Sequence, residues 1–141
     1  MLVRIGLHAL AGCLFTAAAS AVTGPTVIVH PAVESAPLSV NEARLYLTRK
    51  VTAWPDATPV VVFVLPDDAP LHDEFSRTVL GLFPYQLRQA WDRQIYSGTG
   101  QGPEVVTTES EMLRRVATTP GAIGYVGNVP PDAPVKPLEV Q

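Results

Sequence analysis

Four carboxylates lie close together in the sequence and are the side chains best suited to acid–base chemistry. They are Asp67, Asp68, Asp73 and Glu74, around the start of a predicted helix. A pair of carboxylates can act as acid and base, but carboxylates in this position also stabilise a helix through its dipole, by roughly 0.3–1 kcal/mol each. The second interpretation is favoured. Separately, no serine stands in a Gly-x-Ser-x-Gly elbow. We therefore predict that the protein is not an enzyme.

A glycine-rich loop suggests a different chemistry, the binding of an anion by backbone N–H groups. It reads Ser97-Gly-Thr-Gly-Gln-Gly-Pro103, and such a loop can form a nest of amides around a phosphate. The loop fails the dinucleotide fingerprint because Pro103 holds the last glycine position, and no Gly-Lys-Ser/Thr follows. A plain connecting loop is the alternative. The candidate ligand-binding residues are Gly98, Thr99, Gly100 and His72.

The histidines and the single cysteine argue against a metal centre. His30 and His72 lie in different segments without the spacing of metal ligands. Cys13 lies near the N-terminus, in a segment that we expect to be removed. We predict no metal and no cofactor.

The N-terminus has the pattern of a secretory signal peptide. A short basic start is followed by an apolar stretch and the small-residue site Ala19-Ser-Ala21. We predict a signal peptide over residues 1–21, export to the periplasm, and a single mature domain over residues 22–141. A lipoprotein is the alternative, since Leu10-Ala-Gly-Cys13 resembles a lipobox, but the apolar run continues beyond Cys13 and disfavours it.

Cleavage at that site leaves a mildly acidic domain. Loss of Arg4 leaves nine basic against thirteen acidic residues, a net charge of −4. The basic residues do not cluster along the sequence, which argues against nucleic acid as a partner. The mature domain has no cysteine and therefore no disulfide.

Apolar patterns predict that strands and helices alternate. Strands are expected near residues 26–30, 60–65, 104–106 and 122–126, with an edge strand within 135–140. Two capping boxes open helices, and prolines stand at the start of two more; these are Ser39–Glu42, Thr108–Glu111, Pro70 and Pro84. The pattern predicts an α/β fold, a three-layer sandwich with helices on both faces of a sheet.

One stretch near the C-terminus, Thr119-Pro-Gly-Ala-Ile-Gly-Tyr-Val126, is more specific than the others. Pro120 and Gly121 together form a turn. The apolar run after them is a buried strand, in which Gly124 lets another backbone or a ligand approach closely. This order of helix, tight turn and strand is one αβ unit of a layered protein.

Together with shorter segments, this stretch resembles the phosphate-binding proteins of bacterial ABC transporters. The shorter segments are Ile28-Val-His-Pro31, Trp54-Pro-Asp56, Val60–Leu65 and Phe75–Gly81. The resemblance covers nearly all of the mature chain and implies one lobe of a type II periplasmic-binding-protein fold. It implies an exported solute-binding-like protein, with phosphate or another small anion as ligand and an ABC permease or a membrane sensor as partner. The oligomeric state is left open.

The segment that holds phosphate in that family is different in this chain. The family uses an arginine and a Ser-Gly-Thr turn at a helix N-terminus, whereas residues 65–71 here read Leu-Pro-Asp-Asp-Ala-Pro-Leu. Asp67 and Asp68 would repel phosphate. The alternative function is therefore a non-binding periplasmic interaction module that docks on a membrane sensor, a transporter or a second copy of itself.

Two glycines that the resemblance implies are also replaced. Arg49 stands where a glycine precedes Lys50, and Ala57 where a glycine follows Asp56. We interpret both replacements as loop drift.

Overall fold

The computed structural model describes residues 23–98 and 100–141. The predicted signal peptide and the candidate residue Thr99 therefore lie outside the described residues. Within them, no helix has the length and apolar character needed to cross a membrane.

Strands and helices alternate through the described chain, as the apolar patterns predict. The helix predicted to start at Pro70 changes from α to π geometry in its second half. The elements are β1 (Thr23–Val29), α1 (Val40–Leu47), β2 (Val61–Val64), α2 (Pro70–Phe75), a π-helical turn (Ser76–Leu80), α3 (Pro84–Tyr96), β3 (Glu104–Val105), α4 (Glu109–Thr118), β4 (Ala122–Asn128) and β5 (Lys136–Leu138).

The strands form one mixed sheet in the order β3-β2-β4-β1-β5. β2 pairs in parallel with β3 and β4, whereas β1 pairs antiparallel with β4 and β5. The predicted edge strand is confirmed, since β5 has a partner on one side only. β4 lies at the centre and carries the Ala122–Val126 run, which is fully buried.

Helices cover both faces of the sheet, and two neighbouring residues of β4 show how. A Cβ added to Gly124 would lie 2.6 Å from the sulfur of Met112, so the glycine permits close packing of α4 on that face. Tyr125 points to the other face, where its ring stacks on Phe75 of α2 at a centroid distance of 3.9 Å. The predicted three-layer α/β architecture is confirmed.

The two predicted capping boxes differ in their outcome. At α1, the Glu42 N–H donates to the Ser39 hydroxyl at 3.1 Å and the Ser39 N–H donates to the Glu42 carboxylate at 2.7 Å, so the box is complete. At α4, the Glu111 N–H donates to the Thr108 hydroxyl at 3.1 Å. The Glu111 carboxylate, however, accepts from the Thr107 N–H, one residue earlier than predicted.

Arg49 occupies a backbone position at the end of α1 that normally belongs to glycine. Its φ is +60°, in the left-handed region that costs a side-chain-bearing residue roughly 1–2 kcal/mol. The Arg49 N–H donates to the Tyr46 carbonyl and the Lys50 N–H to the Leu45 carbonyl, each at 3.0 Å. These two bonds define a Schellman motif, which favours glycine after the helix cap.

Ala57 occupies an equivalent position in a tight hairpin loop. Its φ is +72°, the Ala57 N–H donates to the Trp54 carbonyl at 2.8 Å, and the Trp54 N–H donates to the Thr58 carbonyl at 2.9 Å. Three-residue hairpin loops of this kind place glycine at the left-handed position. The interpretation as loop drift is therefore wrong: both loops keep a glycine-type backbone and have lost only the glycine.

Replacing Ala57 with glycine is expected to stabilise the protein by about 0.5–1 kcal/mol. Glycine removes the cost of the left-handed conformation, and part of that gain is offset by the greater entropy of glycine in the unfolded chain. The Ala57 side chain is exposed, so no packing is lost. Urea unfolding of Ala57→Gly against the unsubstituted protein measures the change.

The matched control is Ala36→Gly, an exposed alanine outside the left-handed region. In this variant glycine only increases the entropy of the unfolded chain, so the variant should be less stable than the starting protein. Equal destabilisation by both substitutions would contradict the argument from the Ala57 backbone.

Candidate functional site

The parallel strands have their carboxyl ends on the same side of the sheet. We call this side, where the strands end, the sheet edge. It is formed by the loop after β2 (residues 65–69), the loop after β3 (residues 106–108) and the last residues of β4. In open α/β sheets, ligands bind outside these strand ends. The sheet edge is therefore the first place to look for a functional site.

An arginine from a distant helix reaches the loop after β2. Arg88 of α3 donates from Nε and Nη2 to the two carboxylate oxygens of Asp67, at 2.8 and 3.0 Å. The hydrogen bonds from Arg88 hold the pKa of the Asp67 carboxyl below its usual range, and those to Asp67 raise the pKa of Arg88. The guanidinium also lies over the ring of Trp91. The sequence segment 65–71 lacks an arginine, but the fold supplies one that is already bound to a carboxylate.

Two more carboxylates accept hydrogen bonds at the sheet edge. The Gly127 N–H donates to Glu109 Oε1 at 2.7 Å. The N–H and the hydroxyl of Thr107 both donate to Glu111 Oε2 at 3.1 Å, and these hydrogen bonds lower the pKa of the Glu111 carboxyl. Pro70, at the start of α2, has no N–H to offer. The chain's own acidic groups thus satisfy donors that an anionic ligand would need.

Beneath the sheet edge, a buried hydroxyl connects three elements. The Tyr125 hydroxyl accepts from the Leu65 N–H at 2.9 Å and lies 2.5 Å from His72 Nδ1. Among the described residues, Nδ1 is the one contact of the hydroxyl that can accept its proton, so we assign the proton to this bond, which places the imidazole proton on Nε2. Burial raises the pKa of Tyr125.

The His72 side chain lies entirely in the core. It is fully buried, packs near Tyr125 and Trp91, and its Nε2 has no hydrogen-bond partner among the described residues. Removal from water favours the neutral imidazole and lowers the pKa of His72.

The structure does not bring the candidate ligand-binding residues together. The Gly98 N–H donates to the Ile95 carbonyl and the Gly100 N–H to the Gln94 carbonyl, each at 3.2 Å, so both amides are bound to the end of α3. The glycine loop enters the sheet at the amino end of β3, whereas His72 follows the carboxyl end of β2. In the described chain, no group of three histidine, cysteine or carboxylate side chains is arranged to hold a metal ion.

Sequence reasoning missed the residues that shape the sheet edge. No local pattern links Arg88 to Asp67, 21 positions away. Glu109 and Gly127 are 18 positions apart and meet because α4 and β4 pack together. The only local signal was the helix-start position of Glu109 and Glu111, which predicts exposed carboxylates without naming their donors.

Comparison with solved structures shows a similar fold in several phosphate transport proteins. A phosphate ABC transporter substrate-binding protein from Clostridium perfringens, solved with bound phosphate, matches with a TM-score of 0.66 and 19% identity, over 86% of this chain and 48% of that one. PstS from Borrelia burgdorferi gives 0.63 and 12%, over 84% and 47%. An ABC-type phosphate transport receptor from Vibrio cholerae gives 0.59 and 16%, over 86% and 49%.

The chain has a periplasmic-binding-protein-like fold. The resemblance to phosphate ABC transporter substrate-binding proteins is thereby confirmed for the fold, and the neighbours are transport proteins rather than enzymes. The chain spans about half the length of each. No protein-family model matches it, and no curated protein matches it either.

Lowering the pH from about 7.5 to about 5.5 is expected to reduce the free energy of unfolding through His72. The unfolded chain binds a proton at the ordinary histidine pKa of about 6.5, whereas the core lowers the folded-state pKa. The His72 contribution is therefore complete above pH ~6.5 and is lost as the pH falls towards the lowered pKa. Urea unfolding at a series of pH values measures this slope.

Two histidine variants isolate the effect. His72→Gln should flatten the dependence in this pH window, while His30→Gln, which leaves the core untouched, should retain it. If His72→Gln and the starting protein show the same slope, another group is responsible.

Proposed function

We propose that this chain is an exported solute-binding-like protein of the phosphate-transport type whose sheet edge does not hold free phosphate. The signal-peptide pattern of residues 1–21 and the periplasmic-binding-protein-like fold support the first part. A membrane component, an ABC permease or a sensor, is the partner that such a protein would serve.

The pairing of Asp67 with Arg88 carries the second part of the proposal. An arginine presents two parallel donors to a carboxylate or a phosphate in the same geometry, and Asp67 already uses them. Phosphate would have to displace Asp67 while lying close to Asp68, another carboxylate of the same loop. At the distances of such contacts, like charges repel by roughly 1–4 kcal/mol depending on solvent exposure.

Calorimetric titration of the mature protein with inorganic phosphate tests the proposal. We expect no binding tighter than about 1 mM, the equivalent of about −4 kcal/mol. Asp67→Asn keeps the shape of the side chain but releases Arg88, and should bind phosphate more tightly than the starting protein. The mass of the protein recovered from the periplasm should correspond to a chain that begins at Val22.

The control is Asp73→Asn, which removes an equal charge from an exposed helix pair with Arg77. It should leave phosphate binding unchanged. A micromolar dissociation constant for the unsubstituted protein would overturn the proposal, and a gain in Asp73→Asn equal to that in Asp67→Asn would show that only net charge matters.

A second candidate function, docking on a protein, is favoured by exposed aromatic residues along α3. Phe83 is 52% exposed, Tyr85 61% and Tyr96 86%, and the rings of Phe83 and Tyr85 stack at 5.8 Å. Aromatic residues are enriched where proteins meet. Of the partners considered, a second copy of the chain is the one that can be tested directly.

Sedimentation velocity over a range of concentrations tests self-association. We expect a dimer that dissociates in Tyr85→Ser, because this substitution removes one ring of the stacked pair. Val105→Ser is the matched control, an apolar side chain on β3 that is 52% exposed. A monomer at all concentrations would contradict docking on a second copy.

A further inference from the structure

A groove between α1 and α3 carries charge of the opposite sign to the carboxylates at the sheet edge. It has a volume of about 450 Å³ and is lined by the cations Arg44, Lys50 and Arg93, with no carboxylate among its lining residues. The three cations are separated in the sequence, which is why they did not form a visible basic cluster. In a domain of net negative charge, a groove whose charged lining residues are all cations attracts anions.

The cations of the groove are available to a ligand. Among the described residues, Lys50 and Arg93 take part in no salt bridge, in contrast to Arg77, Arg88 and Arg115. Both are exposed. Arg44 has a structural role as well, since its Nε donates to the Leu80 carbonyl at 2.6 Å.

The groove also has an apolar surface. Leu45, Leu82 and Ala90 lie among the cations, and Leu45 is 39% exposed. A ligand that only carried charge would leave this surface in contact with water, whereas an apolar group would gain about 25 cal/mol for each Å² that it covers. The combination suits an anionic group attached to an apolar body.

The two walls of the groove are held together by hydrogen bonds. Trp91 of α3 donates from Nε1 to the Leu47 carbonyl at 2.9 Å, and Gln94 donates from Nε2 to the Thr48 carbonyl at 2.8 Å. Both acceptors lie at the end of α1, and Trp91 is fully buried. A groove with fixed walls binds at a lower cost in conformational entropy than one that must be ordered by its ligand.

We propose that the groove between α1 and α3 binds an organic anion. Arg93 and Lys50 would contact its carboxylate or phosphate group, and Leu45 and Leu82 its apolar body. The inference does not depend on whether the sheet edge binds phosphate, because Asp67 and Arg88 do not line the groove.

Phenyl phosphate is the probe, and inorganic phosphate is the comparison that lacks the apolar body. Titrations followed by amide NMR shifts should show changes confined to α1, α3 and the flanking residues that line the groove, with phenyl phosphate binding about tenfold more tightly, a difference of about 1.4 kcal/mol. Arg93→Gln should weaken phenyl phosphate binding at least about fivefold, and so should Lys50→Gln. Both side chains are exposed, and unchanged unfolding curves will show that each variant is folded.

Arg114→Gln is the matched control, because it removes one exposed cation from α4, outside the groove. It should bind phenyl phosphate as the starting protein does. Equal weakening in Arg114→Gln, equal affinity for phenyl phosphate and inorganic phosphate, or no shifts on α1 and α3 would each overturn the inference. Phosphate binding at the sheet edge would instead respond to Asp67→Asn and not to Arg93→Gln, so the two proposals fail separately.

Discussion

The buried hydroxyl of Tyr125 is the interaction on which the arrangement of the sheet edge depends. It lies on the central strand, accepts from the Leu65 N–H where β2 ends, and contacts His72 on α2. A buried donor or acceptor left without its partner costs roughly 1–3 kcal/mol, so the hydroxyl fixes both the exit of β2 and the position of α2. The loop between them is thereby held where Asp67 meets Arg88. A contact in the core determines which charges meet at the surface.

The hydrogen-bond donors at the sheet edge are bound by carboxylates of the same chain. Exposed ion pairs contribute roughly 0.2–1 kcal/mol, and Asp67 and Arg88 are each about 40% exposed, so their pairing adds little to stability. Its larger consequence concerns ligands, since a guanidinium bound to a carboxylate attracts a free anion less than an open one does. The solved neighbour from Clostridium perfringens contains phosphate. The same fold thus accommodates a chain in which acidic side chains occupy the donors at the strand ends.

The sequence allowed the fold to be predicted further than the site. Thr119–Val126 was expected to form a turn and a buried strand, and the structure confirms both, because Pro120, Gly121 and the apolar run act locally. The pairs at the sheet edge join residues from different elements, and no local pattern encodes them. The left-handed backbone at Arg49 and Ala57 is a third case, which could not be predicted from the residue types. Their side chains gave no sign of a left-handed backbone, which is imposed by the hydrogen bonds of the surrounding loops.

Charge in this protein is segregated by tertiary structure rather than by sequence. Carboxylates gather at the sheet edge because helix starts and strand ends meet there, and helix starts favour acidic residues. Arg44, Lys50 and Arg93 gather between α1 and α3 because Trp91 and Gln94 bind the end of α1. Neither grouping alters the apolar core that defines the fold. A fold of this kind constrains where its strands and helices lie, and leaves the choice of ligand to the side chains on its surface.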